Sequence, residues 1–313
     1  MTNQTDAPQI RALVAQELRL PIQRQVTEMA AAIAAKYPGA RAVLYYGSTL
    51  REARLEGLML DFYLIVADYD RAFGGGWLAR ANKLLPPNVF PFESHGLVAK
   101  YAILSEKDFT RLASTETLNV SVWARFAQPS RLAWTADTQS AETAIDAVAR
   151  AAPTLLDAAR PCLADSICPL EMWRQAFSLT YDAELRAERK NRASSVVDAD
   201  PERYRAFTAP ALAAAGLSTH IVNERLVFDR PMSLAERLQG QRCWARRRRE
   251  GKALTLLRLA KASATYAGGI DYLAWKISRH SGQKVEIQPW QRKWPILGAI
   301  TLLPRLIARG AVR

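Results

Sequence analysis

Apolar positions recur every three or four residues through PQIRALVAQELRLPIQRQVTEMAAAIAAKYPG, the spacing of amphipathic helices. One or two helices are expected there, stopped by Pro38-Gly39. The pattern then changes period. RAVLYY (41–46), MLDFYLIV (59–66) and LVAKYAILS (97–105) are β-branched or aromatic runs and predict three strands. GGGWLARANKLLPPNVFP, between the last two, reads as loop with room for a short helix. Helical spacing returns at SEKDFTRLAS and dominates from residue 140 onward, through ETAIDAVARAAPTLLDAARP, LEMWRQAFSLTYDAELRAERK, SLAERLQGQRCWARRRR and KALTLLRLAKASATYAGGIDYLAWKISRH. The expectation is an α/β first half, an all-helical second half and a boundary near 140–165.

Length sharpens that picture, because 313 residues exceed the size at which one core stops growing. Three parts are expected: an α/β domain with N-terminal helices over 1–150, a helical domain over 151–288, and an amphipathic tail over 289–313. A composition of 49 % hydrophobic and 23 % charged residues is that of a globular protein. The start, MTNQTDAPQIRALV, lacks the basic end and apolar stretch of a signal peptide, and no run of about 18 apolar residues is present to span a bilayer. A cytoplasmic chain is expected. Cys162, Cys168 and Cys243 have no metal-ligand spacing, and His95, His220 and His280 have no partner at i+4.

Charge is unevenly distributed. Residues 241–313 hold 16 Lys and Arg against Glu250, Asp271 and Glu286, a surplus equal to the whole chain's +13. The first 240 residues are balanced. A basic C-terminal part on a neutral body points to a polyanionic surface, either phospholipid or nucleic acid. In the last segment Trp290 and Trp294 flank Arg292 and Lys293, and Arg305, Arg309 and Arg313 follow at four-residue spacing. That arrangement suits a helix lying in an anionic headgroup layer.

The candidate chemistry sits between the first two strands. A Gly47-Ser48 turn after a strand lets backbone amides and a hydroxyl approach phosphate oxygens. Asp61, near the start of the next strand, can hold Mg²⁺, which bridges triphosphate oxygens as pyrophosphate departs. Together these outline a nucleotidyltransferase core. The competing reading is a hairpin whose Asp61 only solvates a strand end.

These residues resemble the mitochondrial-type phosphatidate cytidylyltransferases of the translocator assembly and maintenance family and their bacterial relatives. The resemblance runs from about residue 40 to 195. It is carried by Tyr46-Gly47-Ser48, by Asp61-Phe62-Tyr63-Leu64-Ile65-Val66, by Lys100-Tyr101-Ala102-Ile103, by the Arg125–Pro129 segment, and by Ser178 to Arg186 with Tyr181 and Glu184. It implies CTP and phosphatidate as substrates, CDP-diacylglycerol and diphosphate as products, and Mg²⁺ as cofactor. The work would be done peripherally on the inner face of an anionic membrane, and not on nucleic acid. It also implies site roles: Asp61 and Glu184 to the metal; Tyr46, Gly47, Ser48 and Lys100 to the nucleotide; Lys100 to catalysis with Asp61; Arg125 and Arg186 to a substrate phosphate. The chain departs from the pattern at Ala183, Glu184 and Gln128, where the family has Gly, Asp and Lys. Many nucleotidyltransferases also carry a second carboxylate where this chain has Tyr63. Transfer to RNA or another acceptor, and an inactive binding module, are the alternatives.

Overall fold

A computed structural model of the chain describes residues 7–52, 54–183, 192–265 and 287–293. Its centre is a mixed five-stranded sheet in the order β3-β4-β2-β1-β5, built from β1 (Ala40–Tyr46), β2 (Met59–Val66), β3 (Asn88–Ser94), β4 (Leu97–Ser105) and β5 (Ser130–Thr135). Strands β2 and β4 are parallel and the other neighbours antiparallel. The three strands expected from sequence match β1, β2 and β4. The N-terminal helical stretch is two helices, α1 (Ala7–Leu18) and α2 (Arg24–Ala34), with Pro21 in the break between them.

Several of the helices that follow start where a side chain can satisfy their free amides. Asp68 accepts from Arg71 N ahead of α3 (Tyr69–Phe73), Ser105 from Asp108 N ahead of α5 (Glu106–Leu112), and Asp137 from Ser140 N ahead of α7 (Thr138–Ala149). Between β2 and β3 lie α3 and α4 (Gly76–Leu84), and between β4 and β5 lie α5 and α6 (Trp123–Phe126).

Strand alternation divides the apolar residues between two faces. Val43, Tyr45, Leu60, Phe62, Leu64 and Tyr101 pack with Val26, Met29 and Ile33 of α2. Leu44, Tyr63, Ile65, Ala102 and Leu104 face the other way and join a larger core. That core takes in Leu155 of α8 (Ala151–Ala159), Trp173 and Phe177 of α9 (Pro169–Asp182), Tyr204 of α11 (Pro201–Ala214) and Trp244 of α12 (Leu234–Thr265). A single hydrophobic cluster therefore runs from the sheet into the helices beyond residue 150. A short helix, α10 (Arg192–Asp198), precedes α11.

Two expectations are corrected. The segment read as loop before residue 97 contains strand β3, whose Pro91 lies opposite Lys100; a proline lacks the amide a central strand needs, and β3 is the sheet's edge. The second half is not all helical. A small sheet joins β6 (Ser166–Ile167), β7 (Thr219–Val222) and β8 (Arg225–Phe228) in the order β6-β8-β7, strands of two to four residues whose periodicity is too short to register in sequence.

Helix α12, 32 residues long, merges two segments that sequence treats separately. Its Trp244 Nε1 donates to Ala158 O at 2.8 Å, and further along Arg258 Nε donates to Pro86 O at 2.8 Å. Lys261 Nζ donates to Pro87 O at 2.9 Å and also to Leu85 O. The basic helix thus grips the loop ahead of β3. Among the described residues no helix is long and apolar enough to cross a membrane. Of the expected tail over 289–313, only the short helix Pro289–Lys293 is described; 294–313 lie outside the described residues.

Candidate nucleotide site at one end of the sheet

Strand register assembles the site. Pairing sets Pro91 opposite Lys100, Lys100 opposite Asp61, Asp61 opposite Tyr46, and Tyr46 opposite Ser130. Residues directly paired across a sheet project from the same face, so one row of side chains crosses all five strands. It points to the face carrying Tyr63 and the larger core.

Within that row Lys100 Nζ lies 3.0 Å from Asp61 Oδ1, with side chains 36 % and 24 % exposed. The contact is an ion pair to Oδ1, an atom that is itself buried. Ser130 Oγ, at the far end of the row, is buried without a partner. One polar atom thus stands unsatisfied two strands from an ion pair in one short row. Buried polar atoms are usually paired, so such a row is where an external ligand is expected.

Gly47 closes the row from above. Its φ of 100° lies in the region glycine tolerates best, and a Cβ built there would stand 3.3 Å from Asp61 Oδ2. The turn backbone and the carboxylate are therefore neighbours. Ser48 opens the following 3-10 turn and is exposed.

Tyr46 is held by aromatic neighbours, with ring centroids 5.4 Å from Tyr63 and 5.8 Å from Phe126. Burial pushes its hydroxyl well above the usual tyrosine range, and the negative charge of Asp61 pushes the same way. Arg125, one residue from Phe126 on α6, hydrogen-bonds that hydroxyl and partly opposes the shift. Arg125 also donates to Ser121 O, and Arg258 of α12 reaches Ser121 Oγ at 3.3 Å. Gln128, where the resemblance implies a lysine, turns its amide to Ala124 O at 2.9 Å.

Tyr63 explains the missing second carboxylate. It is 3 % exposed, and its ring stands 5.2 Å from Phe126. A carboxylate there would be buried in an apolar core at large cost.

Of the expected site residues, Tyr46, Gly47, Asp61, Lys100 and Arg125 come together, with Ser48 at the rim. Glu184 and Arg186 lie outside the described residues. Ser130 escapes a reading of the sequence. It directly follows the Arg125–Pro129 segment, but SRLAWT does not stand out as a strand, so nothing in the sequence places it beside Tyr46. A depression of about 660 Å³ lined by Gln23, Gln25, Arg54, Leu55 and Glu56 contains none of the row.

Magnesium is commonly held by one or two carboxylates together with the phosphates it serves. Asp61, a partly open carboxylate beside the Gly47 turn, fits that mode. Among the described residues no three His, Cys, Asp or Glu side chains form a metal cluster. No protein-family model matches the chain, and no curated protein matches it.

Proposed function

We propose that the chain has a nucleotidyltransferase-like fold and is a phosphatidate cytidylyltransferase, converting CTP and phosphatidate to CDP-diacylglycerol and diphosphate at a membrane surface. The observation that carries the reading is the Asp61–Lys100 pair, in register on parallel strands and pressed against the glycine turn at Gly47. A carboxylate, a lysine and an exposed backbone turn are the parts that nucleotidyl transfer requires from the protein.

The residues divide the work as follows. Gly47, bare of a side chain, lets the triphosphate approach the turn backbone. Lys100 neutralises Asp61 while the site is empty and can turn to a phosphate oxygen when the nucleotide arrives, since its side chain is partly exposed. Magnesium, held by Asp61 with Glu184, would supply neutralisation of the triphosphate charge. Tyr46, kept protonated by its surroundings, offers a neutral hydroxyl beside Asp61. Arg125 stands by to orient a substrate phosphate. The phosphate of phosphatidate is ionised at neutral pH, so no general base is required, and positioning must supply most of the rate. The basic tail over 289–313 would keep the enzyme at the headgroup layer, each basic residue contributing about 1 kcal/mol.

Labelled CTP incubated with phosphatidate in mixed micelles tests the reading. Label in the lipid phase is the expected result. Label transferred to RNA instead would indicate the other acceptor class, and nucleotide binding without transfer would indicate a binding module, for which the filled position at Tyr63 is the structural argument.

A further inference from the structure

Helix α4 is packed the wrong way round for a helix that serves only the core. Its inward face carries Ala79 and Asn82, both with 0 % exposure, and Asn82 Nδ2 donates to Ile103 O at 3.1 Å. Its outward face carries Trp77 and Leu84, 54 % and 88 % exposed. Seven positions apart, these two project from the same side of the helix two turns from each other, with Arg80 between them. A single exposed apolar side chain is ordinary. A tryptophan and a leucine aligned outward on a helix that keeps an alanine and an asparagine inside are not, and the core gains nothing from either.

The charge beside this stripe is positive. Arg80 is exposed and forms no ion pair among the described residues. Lys83 is held by Asp70 of α3, which cancels that acid. Just beyond Leu84, Arg258 and Lys261 of α12 bring two more basic side chains to the carbonyls of Pro86 and Pro87. An apolar pair with an unpaired arginine between its members matches an anionic lipid layer: the indole and the leucine enter the acyl boundary, and the guanidinium meets phosphate oxygens. A second copy of the chain fits less well. A two-fold contact sets the same patch against itself, arginine included, and a stripe about 13 Å long is short for an interface of about 800 Å² per partner.

We propose that the outward face of α4 is a membrane-contacting surface, which seats Trp77 and Leu84 at the acyl boundary of an anionic lipid layer and Arg80 among its phosphates. The proposed function puts membrane contact in the tail over 289–313, whereas this surface belongs to a helix packed beside the sheet, and its effect differs. A tail alone tethers a body that turns freely. A second contact on the body fixes which way it faces, and with it the direction of the Asp61 row. The surface stands on α4 and its surroundings and does not depend on nucleotidyl transfer.

The test uses the full chain with phosphatidylglycerol vesicles, and phosphatidylcholine vesicles as reference. Neither phosphatidate nor CTP is present, so failure of the transfer reading leaves the result untouched. The fluorescence of the wild type minus that of Trp77→Phe isolates Trp77 from the tryptophans of the tail. That difference is expected to shift to the blue with phosphatidylglycerol and to be quenched when the acyl chains are brominated. By sedimentation, the double variant Trp77→Ser with Leu84→Ser is expected to bind these vesicles about tenfold or more weakly, as two apolar side chains lose their burial. Arg80→Gln should weaken binding less. A Trp77 signal unmoved by phosphatidylglycerol would overturn the proposal, as would a double variant that binds like the wild type, or equal binding to both lipids. A lipid-free dimer in velocity sedimentation that the double variant abolishes would overturn it too, and would give the face to a second copy.

Discussion

Two carboxylate–cation pairs, one within the row that ends at Ser130 and one beside Ser130, are built in opposite ways. Glu17 and Arg203 are 9 % and 6 % exposed, and every side of the pair is occupied. Arg203 contacts both oxygens of Glu17, its Nη1 donates to Ala127 O at 3.1 Å, and Ser130 N donates to Glu17 Oε1 at 3.4 Å. Asp61 and Lys100 meet by a single contact at 3.0 Å, between Nζ and Oδ1, and are partly open to solvent. A saturated pair can only hold the fold. An unsaturated one can exchange partners, which is what binding a polyphosphate demands. The distinction is one of coordination and access, since both pairs have opposite charges in contact.

The largest expected effect follows from that difference. Asp61→Asn should abolish nucleotidyl transfer while leaving the melting temperature within a few degrees of wild type, because partly exposed ion pairs contribute only about 0–1 kcal/mol. Retained turnover, measured with labelled CTP, would remove Asp61 from the chemistry. Arg203→Met reverses the pattern: Glu17 is left buried and uncompensated, at a cost of about 3–5 kcal/mol in urea unfolding. A wild-type midpoint for that variant would mean that the buried pair is not structural.

Lys100→Ala comes next. Loss of a cation at the reacting phosphates should lower kcat/KM by about 2–4 kcal/mol in barrier terms with little change in stability. If KM and kcat are both unchanged, Lys100 serves only to neutralise its neighbour, and the contrast with Arg203 weakens.

How much of this is legible in the sequence depends on the length scale of each signal. Strand β2 is readable to the residue because an unbroken run of apolar or aromatic positions surrounds Asp61, which stands out as the charge among them. The Gly47 turn is readable because only small residues permit such backbone exposure. Strand β3 is obscured by Pro91, tolerated at the sheet's edge, and the three short strands around Arg225–Phe228 carry too few residues for a period. Ser130 and Arg258 are invisible as partners of anything, since their neighbours lie across tertiary contacts that no local spacing encodes. The saturated pair is equally hidden, because Glu17 and Arg203 are 186 residues apart.

The smallest effect is the most exact probe of the unsaturated pair. Gly47→Ala should cost about 1–3 kcal/mol, because φ 100° with ψ −171° is a conformation that glycine almost alone adopts. Its methyl would also arrive 3.3 Å from Asp61 Oδ2, tight enough to shift the carboxylate by a few tenths of an ångström. Gly57 provides the control. It has φ 74°, and an added methyl there would meet nothing within 4 Å, so Gly57→Ala should carry the backbone penalty without touching the site. Both variants should therefore lose stability by thermal unfolding, by a few degrees or more. Only Gly47→Ala should also lose turnover, by about tenfold or more, since small displacements of a positioned charge are expensive. Equal activities in the two variants would mean that Asp61 has room to move, and that the contact between turn and carboxylate does not set the geometry of the row.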